Sequence, residues 1–183
     1  HKSNILFGLS EARPALRQQK SSAIIVEGYM DCLACHQAGF KNTVACSGTA
    51  LTEQQLATLK RFTNSIIFAF DRDEAGKNAT ERALHLAYAQ DFNVKVAVWK
   101  SDAKDPDECI KESQEIFSKG ITEAQSGIDY VLTECVPDRG SSSSEGKKRA
   151  LERLLPLLSV LKSPLDLDEW VRRISSHLSL RPE

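Results

Sequence analysis

The chain has 183 residues, with 24 basic and 25 acidic side chains and a formal net charge of −1. At about 150 residues per domain, this length predicts one domain with room for an appendage. The near-neutral charge argues against a chain that holds nucleic acid by positive field alone, and no apolar run approaches the roughly 18 residues of a membrane span.

No signal peptide is visible, and five cysteines at irregular spacing predict a reducing, cytoplasmic location rather than a disulfide framework. The chain begins at His1 and its only methionine is Met30, from which we expect a fragment or a processed product.

Short apolar runs alternate with helical stretches over the first two thirds of the chain. The runs predict three buried strands and a fourth, more alternating one, at Ala23–Val26, Thr43–Cys46, Ser65–Phe70 and Asn93–Trp99. Helices are expected over Glu11–Lys20, up to Ala38 before Gly39, from the Thr52/Gln55 capping box to Arg61, and over Ala75–Gln90. This alternation predicts a parallel α/β sheet flanked by helices.

After about Ile110 the pattern predicts helices and no strand. The segment 137–146 contains four consecutive serines and indicates a flexible linker or an exposed loop. We therefore predict an α/β domain over 1–120 and a small helical subdomain over 121–183.

Two helices are expected in this subdomain. Leu151, Leu154, Leu155 and Leu158 have helical spacing, within a run that Pro156 should kink or end. Ser163 and Pro164 predict the start of a last helix. Its apolar side, which we interpret as the seam of a helix bundle, consists of Leu165, Trp170, Val171, Ile174 and Leu178.

Acidic residues follow three of the four predicted strands. They are Glu27 and Asp31 after the first strand, Asp71 and Asp73 after the third, and Asp105 and Asp107 after the fourth. Since the carboxyl ends of parallel strands share one sheet edge, we expect these side chains on one rim. Clustered carboxylates repel each other, and a divalent cation such as Mg²⁺ is their usual counter-charge.

Single carboxylates also have structural uses. Asp71 or Asp73 could cap the helix that begins near Ala75, and Asp105 before Pro106 has the pattern of a helix N-cap. Taken singly, these carboxylates are therefore ambiguous, and the metal site is predicted from the three clusters together.

Glycines and cations next to the acidic residues predict phosphate contacts. Gly28 and Gly76 allow close backbone approach, and Gly48 is expected at the same edge. Arg72 and Lys77 are the nearest cations, which would meet phosphates or stay solvated at the surface.

Cysteines and histidines give no comparable site. The run Cys32–His36 lacks a second ligand pair at zinc spacing, so we expect buried, inert thiols.

The acidic motifs resemble those of the Toprim domain, and their order resembles bacterial-type replicative DNA primases. Five stretches carry the likeness: Ile5–Arg13, Val26–Asp31 (VEGYMD), Ala45–Gln55, Phe70–Leu84 and Lys104–Glu108 (KDPDE). The tail, at Glu145–Pro164 and Asp168–Leu178, resembles the helical subdomain that follows Toprim in that family.

This resemblance implies a nucleotidyltransferase, a DNA-directed RNA polymerase that makes short RNA primers. The implied metal ligands for Mg²⁺ or Mn²⁺ are Glu27, Asp71, Asp73, Asp105 and Asp107, of which the first three are catalytic. Asp31 would support them, and Gly28, Gly76, Arg72 and Lys77 would bind the nucleotide. Implied partners are a single-stranded DNA template, ribonucleoside triphosphates, an RNA–DNA hybrid and the replicative helicase, with no membrane.

Two departures from the family qualify this expectation. Arg72 stands where many primases have glycine. We also expect the zinc-binding module, the basic subdomain and the helicase-binding module to lie outside this chain, so that it binds metal and nucleotide but makes primers feebly.

Other functions stay open. A small Toprim nuclease would use Glu27 to activate water, a topoisomerase would need a tyrosine nucleophile from another domain, and a binding module would use the acidic set structurally.

Overall fold

The computed structural model describes residues 5–18, 21–47, 50–137 and 143–180. The chain forms two compact units, His1–Gln125 and Ser126–Glu183, where the sequence predicts a division near residue 120. Gly48, the end of the first predicted helix and residues 138–142 of the predicted linker lie outside the described residues.

The first unit alternates strands and helices. Its elements are α1 (Leu9–Leu16), β1 (Ala23–Val26), α2 (Tyr29–Gln37), β2 (Thr43–Ala45), α3 (Glu53–Leu59), β3 (Ser65–Phe68), α4 (Glu74–Ala89), β4 (Asn93–Val96), α5 (Pro106–Glu112) and α6 (Gln114–Thr122). A two-residue strand, β5 (Gln125–Ser126), stands at the boundary of the units. It contradicts the prediction that no strand follows Ile110, because two residues carry no periodicity that sequence reasoning can detect.

The sheet has the order β2-β1-β3-β4-β5, and the pairs β1–β2, β1–β3 and β3–β4 are parallel, as predicted. Every residue of β1 is buried, which explains its continuous apolar run. In β4 buried and exposed residues alternate, which explains the alternating pattern there. The third strand ends at Phe68, two residues before its predicted end, although the Ala69 N–H still donates to the Ile25 carbonyl over 2.9 Å.

Successive strands are added to the sheet on opposite sides of β1. The chain passes from β1 to β2 on one side and then returns to place β3 on the other side. A crevice outside the carboxyl ends of the strands at such a switch point is the usual ligand site of an open α/β sheet. The residues that follow β1 and β3 are therefore the first candidates for a functional site.

Predicted helix starts are confirmed where a capping side chain marks them. The Thr52 hydroxyl accepts from the Gln55 N–H over 3.2 Å, and the Gln55 side chain accepts from the Thr52 N–H over 3.0 Å, which completes the capping box. Ser163 caps the last helix through the Asp166 N–H, at 3.2 Å.

The second unit is helical, with α7 (Gly127–Cys135), α8 (Ser144–Ser159) and α9 (Pro164–His177). The sequence predicts that Pro156 kinks or ends its helix; the second alternative is wrong, because α8 continues to Ser159. Pro156 lies near the C-terminal end, where it removes a single backbone hydrogen bond, and the buried Leu157 and Leu158 hold the last turn.

The predicted apolar seam of this unit is only partly buried. Ile174 and Leu178 lie in the core, but Leu165 is 82% exposed and Val171 45% exposed, and Leu155 of α8 also faces solvent. The buried His177 side chain shares the seam and donates to the Val136 carbonyl over 2.8 Å. Among the described residues, no helix is both long and apolar enough to cross a membrane.

Candidate functional site

Glu27 and Asp71 meet at the switch point, just beyond the ends of the neighbouring strands β1 and β3. The Asp71 N–H donates to Oε1 of Glu27 over 3.3 Å. The pKa of Glu27 is raised, mainly by burial and also by the negative charges of Asp73 and Asp31. The hydrogen bond from Asp71 and the positive charge of Arg82 oppose this increase. The first acidic cluster of the sequence is thus linked to the second by a hydrogen bond.

Asp71 is the most perturbed carboxyl group in this region. Burial, followed by the negative charges of Glu27, Asp31, Asp105 and Asp73, raises its pKa from 3.8 to about 7. Its Oδ1 is buried and has no hydrogen-bond partner among the described residues. A desolvated carboxylate oxygen without a partner is costly, so this group requires a proton or a cation.

Asp73 has a structural task in addition. It is the N-cap of α4, and its Oδ1 accepts from the Gly76 N–H over 2.7 Å. One of the two capping alternatives left open by the sequence is thereby decided in favour of Asp73, and Asp71 is left without such a use.

The third cluster lies in the loop and helix after β4. Asp105 caps α5 by accepting from the Glu108 N–H over 2.7 Å, and Asp107 pairs with Lys111, whose Nζ lies 2.6 Å from Oδ2. One oxygen of each carboxylate is therefore engaged within the chain, whereas the buried Oδ1 of Asp71 has no partner among the described residues.

Asp31 joins the first cluster to the third. It is only 8% exposed, and its Oδ2 accepts from the Gly28 N–H over 3.1 Å. Its Oδ1 accepts from the Asp107 N–H, 76 residues away, over 3.3 Å. Burial raises the pKa of Asp31, while these two hydrogen bonds oppose the increase. We call the six residues Glu27, Asp31, Asp71, Asp73, Asp105 and Asp107 the acid rim.

The two glycines of the predicted site lie in close contact with acidic residues of the rim. A Cβ on Gly28 would lie 2.8 Å from Oδ2 of Asp31, and a Cβ on Gly76 would lie 2.1 Å from the Asp71 carbonyl oxygen. Gly76 therefore lets α4 approach the Asp71 backbone closely. Contact of either glycine with a phosphate stays a prediction.

The two predicted cations differ in their surroundings. Arg72 is exposed, yet its guanidinium donates to the Ser101 carbonyl and lies 6.0 Å from the centre of the Trp99 ring. Lys77 is half-buried in the first turn of α4. Phosphate binding by either side chain stays a prediction.

Sequence reasoning missed Arg82, whose positive charge acts on Glu27. Both side chains line a cavity of about 300 Å³, whose other walls include Leu51 and Phe70. The signal was available, because Ala75, Ala79 and Arg82 recur at helical spacing and so share one face of α4.

No group of three or more histidine, cysteine, aspartate or glutamate side chains is preformed as a metal site in the part of the chain that the structure describes. The chemistry of the acid rim nevertheless fits a hard divalent cation. Its carboxylates are oxygen ligands, several are desolvated and repel each other, and one buried oxygen has no partner.

The cysteines are not part of the acid rim. None of the five forms a disulfide, and Cys32 and Cys35 are buried, as predicted. Burial raises the pKa of Cys32, Cys35 and Cys46 to about 12, which disfavours their reactive thiolate form.

Comparison with known proteins places this geometry in a family. A family model described as Toprim-like matches residues 24–110, and one described as the DnaB-helicase binding domain of primase matches residues 128–183. The DNA primase of Clostridium acetobutylicum is 34% identical over 161 residues, which are 87% of this chain and 27% of that protein.

Solved structures agree with the sequence relatives. A DNA primase domain from Pseudomonas aeruginosa has a TM-score of 0.80 at 31% identity, over 99% of this chain and 57% of that one. A DnaG primase catalytic domain bound to single-stranded DNA also has a TM-score of 0.80, at 28% identity, over 98% of this chain and 57% of that one.

The parallel sheet and the acid rim at its switch point define a Toprim-type protein. More particularly, the chain belongs to the DNA primase family. It spans about a quarter of the length of the Clostridium acetobutylicum primase. The expectation that the helicase-binding module lies outside the chain is wrong, because the family model of that description matches residues within it.

Proposed function

We propose that this chain is the metal- and nucleotide-binding part of a primase core, which joins ribonucleotides into short primers on single-stranded DNA. The observation that carries the proposal is Oδ1 of Asp71, buried without a partner beside Glu27 at the switch point. A purely structural carboxylate would be expected to have its oxygens satisfied by the chain, as those of Asp31 are.

The residues that would hold Mg²⁺ or Mn²⁺ are Glu27, Asp71, Asp73, Asp105 and Asp107. When bound, such a cation neutralises triphosphate charge and assists attack of a primer 3′-hydroxyl on the α-phosphorus, with pyrophosphate as the leaving group. The chain's part is to keep Glu27 and Asp71 desolvated beside the other carboxylates, so that the site favours a cation over water.

The glycines and cations next to the rim would receive the phosphates. The Gly28 N–H is already engaged by Asp31 and the Gly76 N–H by Asp73. The glycines would therefore act by leaving room for the triphosphate rather than by donating hydrogen bonds to it. Arg72 and Lys77 would supply positive charge.

Partners follow from the relatives. A structural neighbour binds single-stranded DNA, which supports a DNA template and, after synthesis, an RNA–DNA hybrid. The family model over residues 128–183 supports the replicative helicase as a partner of the second unit. A cytoplasmic location with the replication machinery completes the proposal.

The test is calorimetric titration with Mn²⁺, without and then with a ribonucleoside triphosphate. We expect the wild type to bind Mn²⁺ more tightly with nucleotide. Asp71→Asn should weaken binding at least about tenfold, since loss of even an outer-shell partner of a metal ligand typically costs 10–100-fold. Asp102→Asn is the matched control, because Asp102 is an exposed carboxylate of the neighbouring loop outside the proposed ligand set.

Equal Mn²⁺ affinity in Asp71→Asn and the wild type would remove Asp71 from the ligand set and contradict the proposal. Metal-dependent cleavage of a DNA strand by the wild type would support the nuclease alternative instead. Absence of Mn²⁺ binding in the wild type would favour a structural role for the acid rim.

A further inference from the structure

Arg72 links the two loops that carry the second and third acidic clusters. Its backbone N–H donates to the Lys104 carbonyl over 2.8 Å, and its guanidinium donates to the Ser101 carbonyl. The same guanidinium lies over the ring of Trp99, 6.0 Å from its centre. The side chain is therefore held along the segment 99–104, although it is exposed to solvent.

The segment 99–104 is itself ordered by internal hydrogen bonds. The Trp99 indole N–H donates to the Ala103 carbonyl over 3.0 Å, and the Ala103 N–H donates to the Ser101 hydroxyl over 3.3 Å. The Lys104 N–H then donates to Oε2 of Glu108 over 2.9 Å, which ties the segment to the first turn of α5. Whatever fixes this segment therefore fixes Asp105, its next residue.

The third cluster is thus held from two directions. Arg72 holds the segment before it, and Asp31 accepts from the Asp107 N–H within it. The Asp31 contact comes from α2, whereas the Arg72 contact comes from the same loop as Asp71 and Asp73. Only the Arg72 contact directly sets the distance between the second and third clusters.

We propose that Arg72 is a positioning residue, which fixes Asp105 and Asp107 relative to Asp71 and Asp73 so that both clusters can serve one cation. Glycine at this position could keep the backbone hydrogen bond but would lack both side-chain contacts. The part of the proposal that concerns the cation rests on the proposed function. The part that concerns the fixed segment rests on the contacts alone.

Charge and positioning predict opposite effects when Arg72 is replaced. Arg72 carries a positive charge next to the carboxylates, so its removal should strengthen cation binding if charge alone matters. Removal should weaken cation binding if the side chain positions the third cluster. Lys104→Ala supplies the control, because it removes an exposed cation that lines the same groove as Arg72.

The experiment compares wild type, Arg72→Ala and Lys104→Ala by two measurements. The first is amide hydrogen exchange over residues 99–108 without metal, where loss of a hydrogen bond predicts exchange about fivefold faster in Arg72→Ala. The second is Mn²⁺ titration by calorimetry, where we expect affinity about tenfold weaker in Arg72→Ala. Lys104→Ala should exchange like the wild type and bind Mn²⁺ at least as tightly.

Unchanged exchange in Arg72→Ala would overturn the proposal, as would Mn²⁺ binding equal to or tighter than that of the wild type. A wild type that binds no Mn²⁺ would contradict the proposed function and the single-cation part of this inference, while exchange in the metal-free chain still decides whether Arg72 fixes the segment. Thermal unfolding of all three proteins checks that the variants are folded.

Discussion

The Glu27–Asp71 end of the acid rim and its Asp105–Asp107 end carry the same carboxylate chemistry in different surroundings. At the first end, burial raises the pKa of both groups, and an oxygen of Asp71 has no partner. At the second end, a helix N-terminus and Lys111 satisfy the carboxylates. The comparison teaches that a cation would relieve a larger cost at the buried end (Glu27 and Asp71), where one oxygen has no partner, than at the satisfied end (Asp105 and Asp107), which contacts from Arg72 and Asp31 hold in place.

The largest effect is expected from Gly76→Ala, which breaks the buried end. The added Cβ would lie 2.1 Å from the Asp71 carbonyl oxygen, so α4 and the Asp71 loop must separate. We expect destabilisation of about 2–4 kcal/mol, in the range of severe core overpacking, measured by urea unfolding. Asn78→Ala, exposed on the same helix, serves as the control and should change stability by less than about 0.5 kcal/mol. An unaltered midpoint in Gly76→Ala would contradict the close approach.

The next effect is a pH dependence that belongs to the buried end. Because the folded chain raises the pKa of Asp71 from 3.8 to about 7, it keeps a proton there that the unfolded chain has already lost. Wild-type stability therefore falls as pH rises through that window. Asp71→Asn removes this dependence and should be more stable than wild type by about 1–2 kcal/mol above pH 7, after allowance for solvent screening.

Unfolding at a series of pH values measures this difference, which should shrink towards acid. Asp107→Asn tests the satisfied end in the same series and should not be more stable than wild type, because it removes the ion-pair partner of Lys111. Equal pH profiles for Asp71→Asn and wild type would show that Asp71 is not desolvated in solution.

The smallest effect separates capping from metal binding at Asp73. Asp73→Ala loses the N-cap of α4 and should cost about 1 kcal/mol, whereas Asp73→Asn keeps a capping oxygen and should cost little. Both variants should weaken Mn²⁺ binding if Asp73 is a ligand. Thermal unfolding and calorimetry on the same samples give both quantities, and full Mn²⁺ affinity in Asp73→Asn would restrict Asp73 to capping.

Local sequence signals predicted most of the sheet and the helix starts. The strands β1, β2 and β3 are continuous apolar runs because both of their faces are covered, and the caps at Thr52 and Ser163 are side-chain contacts over three residues. The exposed Leu165 and the continuation of α8 past Pro156 were not predicted, because both depend on which neighbours cover each helix.

The acid rim was predictable as a set of residues but not as a set of roles. Parallel topology brings the three clusters to one edge, which the strand order alone implies. The division of labour depends on long-range contacts: Asp31 meets the Asp107 N–H across 76 residues, and Arg72 meets Ser101 across 29. No spacing within a motif encodes such pairs.

The buried Trp99 is an intrinsic fluorescent probe of the segment next to the acid rim. This indole is 1% exposed, lies next to Arg72 and is bonded to the Ala103 carbonyl, so its emission should respond to rearrangement of the segment that precedes Asp105. The chain has one other tryptophan, Trp170, in the second unit. Replacing Trp170 with phenylalanine would leave a single tryptophan, whose emission would report on this segment without an attached dye.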